Sequence, residues 1–178
     1  KASQGDCIWV AEGNYMPPKG KSYVIDYDSV EIYGGFGAWE TNLNERNYTL
    51  HRTVMNGNGS NVIIFDGSTD YTNNACGVSR DARVDGFIIR GGTASDGAGI
   101  LFKNGASGTV ANSIVTGNTA TNFGGGIYIG NGYNGGCAGR TGDALIYNTE
   151  ISHNRASKGA GIYNDGSAFL SVNNTVSG

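Results

Sequence analysis

The densest group of charged side chains in the sequence lies between residues 80 and 90. Its members are Arg80, Arg83, Asp85 and Arg90. Guanidinium groups bind carboxylates through paired hydrogen bonds, so this cluster could hold an acidic sugar and supply the base for a lyase reaction. A solvated surface with local ion pairs would have the same composition. The sequence leaves both interpretations open.

A second candidate site lies in and beside a glycine-rich insertion at approximately residues 130–143. Long loops on rigid scaffolds often carry recognition, and outward aromatic side chains suit both sugar rings and protein partners. The candidate ligand-binding residues are Tyr128, Tyr133, Arg140, Asp143 and Tyr163. The alternative is that Tyr128 and Tyr163 only stack on each other, a contact worth about 1 kcal/mol.

Patterns typical of a hydrolase or a metal site are missing from the sequence. Glycoside hydrolases need paired carboxylates, and neither an Asp-Asp pair nor a Gly-His-Gly motif occurs. His153 occupies the position of Gly117 in an earlier repeat, which predicts a turn residue. We therefore predict no catalytic residue, no metal site and no cofactor, with calcium left open. No D-x-D-x-D calcium loop is formed by the scattered aspartates Asp66, Asp70, Asp96, Asp143 and Asp165.

The three cysteines suggest export without requiring it. Cys76 and Cys137 lie in irregular segments, whereas Cys7 lies in a predicted strand. In an oxidising compartment a Cys76–Cys137 disulfide would tie two loops together and leave Cys7 free. A catalytic thiol would need a nearby histidine or a helix N-terminus, and the sequence supplies neither cue.

The composition describes a β-rich protein with many sharp turns. The 178 residues include 31 Gly, 14 Ile and 11 Val but only 5 Leu. β-Branched side chains suit strands, whereas Gly and Asn supply the bends between them. The net charge of -3 and the lack of a Lys/Arg run argue against a nucleic-acid partner. No apolar stretch approaches the roughly 18 residues of a membrane-spanning helix.

A repeat runs through the second half of the chain. Residues 112–120 align without a gap with residues 148–156, and residues 86–94 form an earlier copy. A glycine-rich motif follows each copy, at residues 97–102, 124–129 and 159–164. The spacings of 26, 36 and 25 residues give a period of about 25 residues with one insertion of about ten. They separate the equivalent apolar positions Ile89, Val115, Ile151 and Val176.

A repeat of this length cannot bury its apolar face alone, so the copies are expected to stack with parallel strands. We predict one inward stack at the four positions above and another at Ile100, Ile127 and Ile162. Because successive side chains of a strand point to opposite faces of the sheet, the neighbouring residues should face outward. These residues are Ile88, Leu101, Ile114, Tyr128, Glu150 and Tyr163. Glycine runs mark one bend, and Asn118 and Asn154 should hydrogen-bond to each other at another.

The first half carries the same rhythm less clearly. Three apolar segments lie about 22 residues apart and are expected to be equivalent strands, at residues 7–10, 30–33 and 53–55. The sequence therefore predicts an all-β parallel β-helix of about seven coils. Residues 1–178 form a single domain, with less regular coils at 1–83 and clear repeats at 84–178 that contain the inserted loop near 130–143.

Several segments resemble secreted right-handed parallel β-helix proteins of Bacteroidetes, which have a pectate-lyase-like fold. The segments are residues 5–15, 30–36, 40–41, 45–46, 54–57 and 84–92. The Gly-Gly-Gly-Ile-Tyr motif is also similar to repeats of the polymorphic outer-membrane proteins. The resemblance implies a right-handed solenoid displayed at the cell surface and no particular activity. Because solenoid ends are normally capped, we expect the chain to be a fragment of a longer one.

Three functions follow as hypotheses. The first is a non-enzymatic, adhesin-like or passenger module, secreted or at the outer membrane, that binds glycan or protein. The second is a polysaccharide lyase or glycoside hydrolase with its site on one outward sheet face. The third is a structural stalk, or a cargo of a secretion system such as type IX with the secretion machinery as its partner. We favour the first, with an extracellular location and no transmembrane segment.

Overall fold

The computed structural model describes residues 2–68, 78–131 and 142–178. Within these residues the chain forms nineteen short strands and one 3-10 helix, Leu43–Glu45, and it contains no helix long and apolar enough to span a membrane. In chain order the strands are β1 Cys7–Ala11, β2 Gly13–Tyr15, β3 Tyr23–Ile25, β4 Glu31–Phe36, β5 Thr53–Asn56, β6 Ile63–Asp66, β7 Arg83–Asp85, β8 Phe87–Arg90, β9 Thr93–Asp96, β10 Ile100–Lys103, β11 Gly108–Ala111, β12 Ile114–Thr116, β13 Thr119–Phe123, β14 Ile127–Ile129, β15 Asp143–Tyr147, β16 Glu150–Ser152, β17 Ile162–Asn164, β18 Ala168–Val172 and β19 Thr175–Ser177.

The strands form three large sheets in which neighbouring strands are parallel. Sheet 1 contains β1, β4, β7, β11, β15 and β18, and sheet 2 contains β2, β5, β8, β12, β16 and β19. Sheet 3 contains β3, β6, β10, β14 and β17, and a small sheet 4 pairs β9 with β13. The first five passes of the chain visit sheets 1, 2 and 3 in that order, and the last pass visits sheets 1 and 2. This confirms the predicted all-β, parallel β-helix-like arrangement. The largest sheets have six strands in the described ranges, so the number of about seven coils is not confirmed.

The predicted strand registers are confirmed in the second half of the chain. In sheet 2, Val115 pairs with Ile89 on one side and with Ile151 on the other. The same register joins the three inward positions of sheet 3, Ile100, Ile127 and Ile162. Val176 also pairs with Ile151, but it is 55% exposed because β19 is the edge strand of sheet 2.

The inward side chains form one continuous hydrophobic core. Phe65 and Phe102 are fully buried and stack with ring centroids 4.4 Å apart. Each fully buried isoleucine contributes roughly 2 kcal/mol relative to an exposed one. Because side chains alternate along a strand, the same register fixes which residues face outward. Glu150 is exposed, and the other predicted outward residues are half-buried, namely Ile88, Leu101, Ile114, Tyr128 and Tyr163.

The spacing expected for the first half is wrong at residues 53–55. β1 pairs with β4 in sheet 1, as expected for equivalent strands. β5, however, pairs with β2 and β8 in sheet 2. An excursion at residues 37–52 lengthens the second pass of the chain, so equal spacing in sequence does not place β5 in sheet 1.

Glycine and asparagine form the corners between the sheets, as predicted. A Cβ atom added at Gly126 would lie 2.5 Å from the carbonyl oxygen of Gly161, which leaves no room for a side chain. At another corner, Gly117 and His153 have left-handed backbones with φ of 65° and 54°. The turn interpretation of His153 is therefore confirmed.

Candidate functional site

The charged cluster of residues 80–90 is divided between two sheets. Arg83 and Asp85 lie on β7 of sheet 1, whereas Arg90 ends β8 of sheet 2. Arg80 forms an ion pair with Asp143, which the sequence analysis placed in the other candidate site. The structure therefore brings together one residue from each candidate site and separates Arg90 from Arg83.

Asp85 is the centre of a buried network on the outer side of sheet 1. Its carboxylate is only 2% exposed and accepts hydrogen bonds from Arg46 Nη2 at 2.7 Å and from Asn112 Nδ2 at 2.9 Å. Arg83 donates to the same carboxylate through Nη2 at 2.6 Å and Nε at 2.9 Å. Arg46 was not among the predicted site residues, since it lies 39 residues from Asp85 in the sequence. The sequence pointed to Arg46 only through the Glu45-Arg46 pair of the family resemblance.

Both guanidinium groups of this network are occupied by the chain itself. Burial disfavours the charged form of Arg83, but Asp85 and the Tyr147 hydroxyl, to which Arg83 donates, raise the pKa of its guanidinium above the ordinary value. The Arg46 guanidinium lies 5.0 Å from the ring centroid of Tyr33 and 5.4 Å from that of Tyr48. Asp85 is thus the carboxylate that both arginines already bind. The arrangement therefore favours the ion-pair interpretation of Arg83 and Asp85.

Three aromatic side chains meet on the outer side of sheet 3 and its neighbouring corner. Tyr128 and Tyr163 stack almost parallel, with an interplanar angle of 6° and ring centroids 5.8 Å apart. Phe123 lies 4.6 Å from Tyr163 and 6.5 Å from Tyr128, also between centroids. Sequence analysis missed Phe123, although it directly precedes the Gly-Gly-Gly run. Because the two tyrosines stack on each other, each covers one face of the other ring.

Charged groups border the aromatic cluster. The Tyr128 hydroxyl donates a 3.1 Å hydrogen bond to Asp165 Oδ2. Burial, this hydrogen bond and the nearby Asp165 charge raise the pKa of Tyr128 to about 12, so it remains a neutral donor at physiological pH. Lys158 Nζ lies 5.7 Å from the centroid of the Phe123 ring, and the Phe123 amide donates to Asp96. The border can thus offer a partner both a cation and carboxylates.

The aromatic cluster is one end of an outward apolar row that crosses all five strands of sheet 3. In register along the axis, the row consists of Val24, Ile64, Leu101, Tyr128 and Tyr163. The outward row of sheet 1 is different, because Arg46 and Tyr48 lie over it and Tyr33 is only 7% exposed. Val24, in contrast, is 50% exposed.

Of the remaining predicted residues, some lie within the described ranges and others lie outside them. Cys7 is an exposed free thiol. The other predictions lie outside the described residues, namely the ligand-binding residues Tyr133 and Arg140, the Cys76–Cys137 disulfide and the scattered Asp70.

No metal-binding group is formed by histidine, cysteine or carboxylate side chains in the described part of the chain. Asp66, one of the scattered aspartates, forms an ion pair with Lys103, with 2.8 Å between Oδ2 and Nζ. Burial opposes its ionisation, but Lys103 and hydrogen bonds from Ser68 and Asn104 outweigh burial and lower the pKa of Asp66 to about 2. The carboxylate of Asp66 therefore stays ionised, and its negative charge is compensated by Lys103.

No family model, curated protein or solved structure matches this chain. The resemblance to secreted β-helix proteins therefore stays a prediction.

Proposed function

We propose that the chain is a non-enzymatic, adhesin-like or passenger module of a secreted or cell-surface protein that binds glycan or protein. The proposal includes a right-handed β-helix of about seven coils, related to the secreted repeat proteins that the sequence resembles. Parallel sheets, outward side chains in register and tight glycine corners support it. A rigid solenoid of this kind presents one extended side to a partner.

The observation that carries the proposal is the outward row of sheet 3. Its five side chains form a strip along the rod axis, with the aromatic cluster and its charged border at one end. Aromatic side chains with a polar tip and a charged border are typical of recognition surfaces. We therefore assign partner binding to sheet 3 rather than to sheet 1.

The ion pairs on the surface support a binding function over a catalytic one. A general base or a pair of catalytic carboxylates must be free to reach the substrate. In the described ranges Arg80 pairs with Asp143, Asp66 pairs with Lys103, and Asp85 lies between two arginines. A lyase or hydrolase site built on these particular residues would need one of the pairs to open.

A binding screen with an assay for products tests the proposal. The purified chain is applied to an array of glycans and extracellular-matrix proteins, with and without calcium. Each glycan that binds is then incubated with the chain and assayed for unsaturated ends and new reducing ends. Binding without product is the expected result. Product formation would overturn the non-enzymatic assignment, and silence on the whole array would overturn partner binding.

Matched variants test the location of the surface. Leu101→Asp places a charge in the middle of the sheet 3 row, whereas Leu170→Asp places the same charge on exposed β18 of sheet 1. We expect Leu101→Asp to weaken binding at least about tenfold, equivalent to about 1.4 kcal/mol, and Leu170→Asp to have little effect. Circular dichroism verifies that both variants fold. Equal effects of the two substitutions would contradict the assignment to sheet 3.

A further inference from the structure

Trp39 presents an indole ring to solvent on the excursion between β4 and β5. It is 69% exposed, although burying such a side chain is normally favourable. The six-membered part of the ring lies directly on the backbone of Gly37, because a Cβ atom added there would lie 2.0–2.4 Å from three of its carbons. One face of the indole thus lies on backbone, and the 69% exposure of the side chain leaves most of the rest of the ring open to solvent.

The turn that carries Trp39 is fixed by hydrogen bonds to one carboxylate. Glu40 Oε1 accepts from the Gly37 amide at 2.7 Å, and Glu40 Oε2 accepts from the Trp39 amide at 3.1 Å. Ala38, between them, has a left-handed backbone with φ of 71°, which is uncommon for a residue with a Cβ. Strained backbone that is stabilised by its surroundings often marks a functional site. The indole is therefore held in place before any partner arrives.

Hydrogen-bonding groups lie at the edge of the indole. The His51 ring contacts Trp39 edge to face, with 5.0 Å between centroids and an interplanar angle of 88°. His51 Nδ1 lies 2.9 Å from Glu12 Oε2, within hydrogen-bond distance. The Glu12 side chain is 54% exposed. The indole is thus bordered by His51, whose partner Glu12 offers carboxylate acceptors within reach of solvent.

We propose that Trp39, supported by Gly37 and bordered by His51 and Glu12, forms a binding site for a pyranose ring of a glycan. The C–H groups on one side of a pyranose ring pack on the open indole face, and its hydroxyl groups donate to the acceptors at the edge. This chemistry needs a flat aromatic surface that is already oriented, because each ordered group lowers the cost of binding.

A bound cation is the main competing occupant, since indole rings attract cations. Carboxylates directed at the same position would strengthen the binding of a cation over the ring. The Glu40 oxygens are instead directed at backbone amides, and Glu12 is directed at His51. The hydroxyl groups of a sugar, in contrast, need only the lone pairs of these carboxylates that the chain's own donors leave free. The orientation of the carboxylates thus favours a neutral sugar.

The site is separate from the surface proposed above. Along the chain, Trp39 lies between β4 of sheet 1 and β5 of sheet 2. The outward apolar row, in contrast, lies on sheet 3. It goes beyond the proposed function, because each surface can bind or fail to bind independently. A substitution outside both surfaces, Leu170→Asp on β18 of sheet 1, therefore serves as the control for Trp39.

Tryptophan fluorescence tests the proposal directly. The chain has two tryptophans, so Trp9→Phe leaves Trp39 as the single reporter. This protein is titrated with cello-, chito-, manno-, xylo- and malto-hexaose, and with tetramethylammonium chloride as the cation probe. We expect at least one hexasaccharide to change the emission in a saturable way. A response to tetramethylammonium alone, or no saturable response to any hexasaccharide, would overturn the proposal.

Two variants separate a sugar site from a passive reporter. Gly37→Ala adds one methyl group beneath the indole at a position whose backbone is not left-handed, so it tilts the ring and keeps the chain foldable. We expect it to weaken the saccharide response at least about tenfold, with circular dichroism unchanged. Leu170→Asp, on exposed β18 of sheet 1, should leave the response intact. An unchanged affinity in Gly37→Ala, or equal losses in both variants, would refute the Trp39 site.

Discussion

The side-chain amide of Asn118 donates a 3.0 Å hydrogen bond to the side-chain oxygen of Asn154 in the next coil. The same amide donates to the Ile89 carbonyl, and the Asn118 side-chain oxygen accepts from the Gly92 amide at 2.9 Å. Asn118 is fully buried. One side chain thus satisfies backbone groups at a corner where no sheet ladder can do so.

Asn118→Ala should therefore destabilise the fold strongly. The substitution leaves buried backbone groups without partners, which costs about 3 kcal/mol in total. Asn148→Gly is the matched control, because Asn148 is exposed, belongs to another asparagine ladder and has a φ of 49° that glycine accepts readily. Its cost should stay below about 1 kcal/mol. Urea unfolding of both variants measures the difference, and similar losses would refute the special role of Asn118.

A buried and an exposed ion pair should respond differently to neutralisation. Asp85→Asn removes the buried carboxylate that pairs with the half-buried Arg46 and Arg83, and we expect a loss of about 3 kcal/mol in unfolding free energy. Arg80→Gln removes the pair with Asp143, in which the Arg80 side chain is 45% exposed, and should cost about 0.5 kcal/mol. Chemical denaturation compares them. An Asp85→Asn variant as stable as the parent chain would contradict a structural role for this network.

The sequence predicts the repeat well and the sites poorly, for physical reasons. The strand registers follow from residues such as Val115 and Ile127, because alternation and stacking are local rules that each coil repeats. The Asp85 network depends on Arg46, which an irregular excursion brings back over sheet 1. Trp39 gives no signal in the sequence, because only the folded turn places its ring on Gly37.

The glycine corner should tolerate a methyl group only where its neighbour can move. A Cβ atom at Gly126 would lie 2.5 Å from the Gly161 carbonyl oxygen, which belongs to the backbone of the next coil. At Gly161 the nearest atom is Val176 Cγ1 at 2.7 Å, on an exposed edge strand. We expect Gly126→Ala to cost about 3 kcal/mol and Gly161→Ala less than about 1 kcal/mol. Thermal unfolding ranks the two, and a reversed order would contradict the stacking geometry.

The ion pair between Asp66 and Lys103 should make stability depend on pH in the acidic range. The folded-state pKa of Asp66 is about 2, below the ordinary value of 3.8, so its contribution is complete above about pH 4 and is lost as pH falls through about 2. Asp66→Asn removes this contribution at every pH. The difference in Tm between the parent chain and Asp66→Asn should therefore be largest near neutral pH and shrink below pH 4.

Lys103→Gln is the matched control for this titration. It removes the opposite charge but keeps the hydrogen bonds that Asp66 accepts from Ser68 and Asn104. Because these bonds still favour the ionised form, the variant should keep part of the acid-sensitive stability and lose the part that comes from the lysine. Calorimetry between pH 2 and pH 7 measures all three proteins. If the difference in Tm between the parent chain and Asp66→Asn does not vary with pH, folding leaves the pKa of the Asp66 carboxyl unchanged.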